Sequence, residues 1–155
     1  MDATELPRVS ELIPHRGELL LLDRVLKHDG ESTTARVAVD RQTWLKCENG
    51  SVATWIALEY MAQCIATHEG IRAHLEGRPP VRGSLAAAVG VHLHRSCFEP
   101  GELLRVRTRR VRGRPGLGVI SHFCTVHEEG ETGEGQLLAE GRLSISILRS
   151  SPPVT

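Results

Sequence analysis

Residues 52–66 read VATWIALEYMAQCIA, and no other stretch constrains the fold of this chain as much. On a helical wheel Trp55, Ile56, Leu58, Tyr60, Met61, Cys64 and Ile65 spread around every side instead of forming one stripe. A helix that is apolar all round is buried on all sides. In a chain of 17.0 kDa with no second run of this kind, it is expected to be the one central helix. Glu59 and Gln63 interrupt it at i,i+4 spacing, so they stack on one face a turn apart. Burying an unpaired carboxylate is very costly, so Glu59 must be paired, be protonated or look into a cavity. The plain reading is a core glutamate capped by hydrogen bonds. The functional reading is a catalytic carboxylate facing a substrate tunnel.

The helix is expected to cover residues 52–76, with Asn49 or Ser51 as its N-cap. Beyond Ala66 it turns amphipathic, placing His68, Glu69, Arg72, His74 and Glu76 toward solvent, and Gly77-Arg78-Pro79-Pro80 ends it. Upstream, a short amphipathic segment leads to Ile13-Pro14-His15-Arg16-Gly17, where Pro14 and Gly17 put His15 on a turn. The leucine run at 19–26 reads as a strand buried on both faces. Asp29-Gly30 is a strong hairpin signal, with residues 33–39 as the returning strand. After a polar connector at 40–50 and the helix come four strands, at 84–98, 103–112, 117–126 and 136–148. Residues 128–135 read as a flexible loop and the tail SSPPVT as disordered. A hairpin, one buried helix and an antiparallel meander make an α+β protein, its sheet of about six strands wrapped around one long helix.

Length and charge bound the rest. The 155 residues suit a single domain, 1–155, with an ordered core of about 6–148. No stretch is long and apolar enough for a membrane span. The opening MDATELPRVSEL is polar and acidic, unlike a signal peptide. A formal net charge of zero argues against nucleic-acid binding. Cys47, Cys64, Cys97 and Cys124 form no CxxC pair, so reduced thiols in the cytoplasm are expected. His92 and His94 share a strand face, but no third ligand stands in a recognisable motif, so no metal is expected. His122 reads as a mid-strand histidine, packed or exposed. A run of six arginines from Arg105 to Arg114 reads first as a solvated strand face, and otherwise as a docking patch for an acidic carrier or pantetheine phosphates.

Two motifs carry a resemblance: IPHRGELLLLDRV (13–25) and ALEYMAQ (57–63), seconded by EPGELLRV (99–106). Together they resemble the hotdog-fold beta-hydroxyacyl-ACP dehydratases, especially the dehydratase-like proteins of aryl-polyene gene clusters. The resemblance implies a hotdog fold that pairs as a dimer, homomeric or with a related hotdog subunit, its active site at the junction. It implies elimination of water from a 3-hydroxyacyl thioester carried by acyl-carrier protein or coenzyme A, in fatty-acid or polyene-type biosynthesis, with no cofactor. Glu59 matches the family's catalytic carboxylate and Gln63 its neighbouring helix glutamine. One departure is plain: where the family places a loop histidine, this chain has Leu45. The chemistry needs a base, an acid and donors for enolate-like charge. His15 is the candidate for the missing partner, against the alternative of an imidazole hydrogen-bonded to backbone. Backbone N–H groups of Ala53, Thr54 and Trp55 are candidates to hold the thioester oxygen. Two other functions remain open, a hotdog acyl thioesterase and a catalytically reduced partner subunit of a dehydratase heterodimer.

Overall fold

The computed structural model describes residues 5–39, 45–80, 82–113 and 118–148. The expectations for the 40–44 part of the connector, the 114–117 turn and the 149–155 tail lie outside the described residues.

The first hairpin joins β1 (Arg24–His28) to β2 (Ser32–Ala38). Asp29 Oδ1 accepts the backbone N–H groups of Glu31 (3.1 Å) and Ser32 (2.8 Å), and Gly30 turns the chain at φ +86°. Of the strand expected at 19–26 only the 24–26 end enters β1, and the leucines at 19–22 lie outside it. Gly17–Leu19 form a 3₁₀ turn, and Leu21 and Leu22 are buried in an extended segment ahead of the strand. The reason is a side chain: the N–H of Leu21 donates to Gln63 Oε1 at 3.0 Å, which replaces a strand partner.

The central helix starts later than its sequence suggested. Residues 52 and 53 form β3 (Val52–Ala53), paired with β5 (Cys97–Phe98), and a 3₁₀ turn (Thr54–Ile56) leads into α2 (Ala57–Leu75). Neither expected residue caps it, because Asn49 Oδ1 takes the N–H (3.0 Å) and hydroxyl (2.6 Å) of Ser51 and closes a turn of its own. The all-round burial holds for Ala57, Tyr60, Met61, Cys64, Ile65 and Ile71. Trp55 and His68 depart from expectation. Trp55, in the 3₁₀ turn, is 59% exposed, while His68, read as solvent-facing, is fully buried.

Strands β4 (Arg82–Leu93), β6 (Leu103–Gly113), β7 (Val119–Gly130) and β8 (Gly133–Leu148) complete an antiparallel six-stranded sheet in the order β1-β2-β6-β7-β8-β4. The loop expected at 128–135 is instead a tight hairpin, β7 and β8 pairing as far as Gly130 and Gly133. A glycine at φ +142°, Gly133, permits so short a return. The sheet curls around α2 closely enough for the Cys64 thiol to reach the carbonyls of Thr33 (3.6 Å) and Val106 (3.5 Å). The short helix α1 (Val9–Leu12) rests on the other side. A Cβ at Gly70 would lie 2.5 Å from Leu12 O, so only glycine allows that approach. One helix inside one curled antiparallel sheet is the expected hotdog arrangement.

Strand β4 is exposed along almost all of its length, with Leu85 at 45%, Val89 at 60% and Leu93 at 43%. Among the described residues it pairs only with β8, which leaves its outer edge open.

Candidate active site

Glu59 sits in the first turn of α2, where the helix dipole favours negative charge. Its carboxylate is not buried as expected, since the side chain is 46% exposed at the mouth of a cavity. Gln63, one turn on, is 1% exposed and fully engaged. Its Nε2 donates to Leu19 O (2.7 Å) and Glu59 Oε1 (2.9 Å), while its Oε1 accepts the N–H of Leu21. Gln63 therefore ties the leucine segment to the helix and fixes the direction of Glu59.

His15 enters from the opposite side. The Arg16 guanidinium donates from Nη1 to the carbonyls of Ile13 and His15, both at 2.7 Å, and Gly17 follows at φ +59°. This arginine staple shapes the Pro-His-Arg turn so that His15 Nε2 lies 3.6 Å from Glu59 Oε1. His15 Nδ1 is buried without a hydrogen-bond partner among the described residues. The structure thus brings His15, Glu59 and Gln63 together within one chain.

The cavity behind them holds about 160 Å³. Glu59, Ala62, Gln63, Ala66 and Glu69 line it from one face of α2, and the opposite wall is apolar, built by Leu85, Ile120, Ile145 and Ile147. Ala62, Ala66 and Gly83 make room for it. A Cβ at Gly83 would stand 2.7 Å from Ile145 Cγ2. Sequence reasoning missed Glu69, which also lines the cavity. Its spacing from Glu59, Ala62 and Ala66 on the helix face was the available signal.

Ala53, Thr54 and Trp55 are not brought to this cavity. Ala53 pairs with Cys97 in the β3–β5 ladder, and the Thr54 N–H donates to Ser96 O at 3.1 Å. Thr54 and Trp55 line a separate hollow with Leu93, His94, Arg95 and Ser96. His92 and His94 stack with ring centroids 6.4 Å apart at the exposed end of β4. Leu45, where a loop histidine was sought, packs against the hydrophobic core.

Behind the cavity lies a polar core the sequence did not reveal. His28, His68 and His122 are all buried, with centroids 5.2 Å (His28–His68) and 5.3 Å (His68–His122) apart. Thr33 Oγ1 bridges His28 Nδ1 (2.8 Å) and His68 Nδ1 (2.9 Å), and Thr108 Oγ1 binds His122 Nδ1 (2.9 Å). Burial pushes His68 down to about 4 and also lowers His28, so both rings are held neutral.

Comparison with solved structures places the fold. The chain is similar to the dehydratase heterocomplex ApeI:P from Xenorhabdus doucetiae, with a TM-score of 0.84 and 20% identity over 94% of this chain and 93% of that one. It is less similar to the E. coli PaaI protein from the phenylacetic acid degradation operon (TM-score 0.56, 9% identity, 79% and 80% covered). A hypothetical thioesterase protein from Streptococcus pneumoniae, solved with coenzyme A, gives a TM-score of 0.58 at 7% identity, with 81% and 84% covered. At such identities the likeness establishes the hotdog fold. No curated protein matches the sequence. Residues 7–149 match the family described as ApeP-like, the ApeP dehydratases. The chain therefore belongs to the ApeP-like dehydratase family.

Proposed function

We propose that the chain eliminates water from a 3-hydroxyacyl thioester and that His15 and Glu59 are its proton-transfer pair. The observation that carries this reading is their 3.6 Å approach at the mouth of a cavity whose far wall is apolar. His15 takes the α-proton, and Glu59, 3.6 Å away, relays a proton to the departing 3-hydroxyl. The substrate loses H and OH as water, and the pair ends the turnover as it began. The proton crosses the short gap within the pair, so no outside acid or base is consumed. Gln63 is a positioning residue, holding the carboxylate toward the histidine.

The acyl carrier is an acyl-carrier protein or coenzyme A, whose thioester would lie at the mouth with its chain inside. Fatty-acid or polyene-type biosynthesis is the setting in which such elimination is needed. The four cysteines are unpaired, which fits the reducing cytoplasm. A second hotdog subunit pairs along β4, where Leu85, Val89 and Leu93 are uncovered. The half-exposed Glu59 and the leucine at position 45 favour a partner that closes the site and supplies the oxyanion donors that residues 53–55 do not bring to the cavity.

The test incubates the purified protein, alone and with a co-encoded hotdog subunit, with 3-hydroxyacyl and enoyl carrier thioesters. Hydration and dehydration are followed by mass spectrometry and hydrolysis by free-thiol release. Interconversion without thiol release is expected. Thiol release alone would identify a thioesterase. Interconversion that survives loss of both His15 and Glu59 would make this chain a catalytically reduced partner.

A further inference from the structure

Strand pairing sorts the arginine run of β6 into residues with partners and residues without. Alternation along the strands turns Thr108, Cys124 and Leu143 toward the helix and Arg107, Arg109, Phe123 and Arg142 outward. Arg105 shares Glu129 with Arg36. The side chains of Arg107, Arg109 and Arg142 are exposed and form no hydrogen bond or ion pair among the described residues. Glu140, the nearest carboxylate on that face of β8, pairs with none of them. Phe123, 39% exposed, stands directly opposite Arg109 on one side and Arg142 on the other. Ile120 and Ile145 line the cavity from the inner face, so this row lies across the sheet from His15 and Glu59.

We propose that the row Arg109–Phe123–Arg142 docks an acidic helix of another protein, with an apolar side chain of that helix on Phe123. Neighbouring strands stand about 4.8 Å apart, so the two arginines flank the ring with their backbones about 10 Å apart. On a helix, residues i and i+7 are about 10.5 Å apart, with i+3 and i+4 between them on the same face. Carboxylates at i and i+7 therefore meet the two guanidinium groups, and an apolar side chain at i+4 covers the ring. Arg107, two residues from Arg109 on the same face, adds positive charge at one flank. An extended segment has same-side spacings of about 7 and 14 Å, and neither fits. Nucleic acid or an anionic bilayer rewards net charge, and this chain has a formal net charge of zero. Docking behind the sheet leaves the cavity mouth free for the thioester, so this surface tethers the enzyme and takes no part in its chemistry.

The probe is a fluorescein-labelled, hydrocarbon-stapled helical peptide with glutamates at i and i+7 and leucine at i+4. Its control carries glutamine in place of both glutamates. Anisotropy on the full chain, assembled with its hotdog subunit if one is required, should show the glutamate peptide binding about five- to twenty-fold more tightly than the control, for two exposed ion pairs. Raising the salt should narrow that gap. The double variant Arg109→Gln, Arg142→Gln should erase it, whereas Phe123→Ser should weaken both peptides alike. NMR shifts on binding should centre on Phe123, and turnover of a 3-hydroxyacyl thioester should be the same in all three proteins. Equal affinity for the two peptides, or shifts centred elsewhere, would overturn the inference. Tighter binding of heparin or of phosphatidylglycerol vesicles than of the peptide, lost in the same double variant, would make this a polyanion or membrane surface and overturn it too. Loss of turnover in the folded variants would place the row in the active site and refute a separate docking surface.

Discussion

His15 Nε2 stands 3.6 Å from Glu59 Oε1, in one and the same chain. A turn near the N-terminus and the first turn of the central helix thereby share one potential proton path. The first prediction follows directly. Glu59→Gln and His15→Ala should each lower kcat/KM by about a hundred- to ten-thousand-fold, the usual worth of a general acid or base. The double variant should lose little more than either single one, because each group is idle without the other. Steady-state kinetics on a 3-hydroxyacyl thioester, with circular dichroism to verify folding, decides this. Near-normal activity of His15→Ala would place the base elsewhere.

Gln63 makes a separable prediction. Gln63→Leu strands the buried N–H of Leu21, which should cost about 1–3 kcal/mol, and leaves the carbonyl of the exposed Leu19 to water. It also frees the Glu59 carboxylate to swing, for which a loss of about a hundred-fold in rate is reasonable. The loss should fall on kcat far more than on KM, since Gln63 orients a reacting group and does not hold the chain. An equal effect on both constants would argue for a merely structural role.

The buried histidines predict an acid-sensitive fold. In the unfolded chain His68 titrates at its ordinary 6.5, but burial lowers it to about 4 in the native protein. The unfolded state therefore binds the proton more readily between these values. Stability from this group is complete above pH 6.5 and is lost as pH falls toward about 4. That interval corresponds to on the order of 3 kcal/mol. Glu69, facing His68 and His122 and lowered from its ordinary value, adds a loss of the same sign below about pH 4.5. Urea midpoints measured from pH 7 to pH 4 should fall steadily, and less steeply in His68→Gln. A flat profile would contradict a neutral buried imidazole.

The open edge of β4 yields the last prediction. Val89 and Leu93 are exposed in the isolated chain, and covering such side chains contributes about 1.5–3 kcal/mol each. Val89→Lys and Leu93→Lys should therefore weaken subunit association about ten-fold or more each, without unfolding the chain. Light scattering should show an assembly of at least two subunits for the parent. A stable parent monomer at micromolar concentration would remove the interface.

The central helix and the antiparallel sheet were legible in the sequence because their signals are local and periodic. An apolar run on all sides of a wheel admits only a buried helix, and Glu59 beside Gln63 follows from helical spacing alone. His15 was legible as a turn residue, but its approach to Glu59 depends on Arg16 bonding two carbonyls and on Gln63 pulling the leucine segment inward. That same side-chain bond took the leucines out of the expected strand, since a backbone N–H satisfied by an amide needs no strand partner. His68, His122 and Glu69 were read as surface or ordinary residues, because nothing local distinguishes a buried polar side chain from an exposed one. Thr33 reaches His68 only when the sheet closes around the helix, and Thr108 meets His122 through the pairing of β6 with β7. The sequence by itself determined which elements form and which face of the helix carries chemistry. The tertiary structure decided which polar groups meet, because those contacts are long-range and leave no periodicity to read.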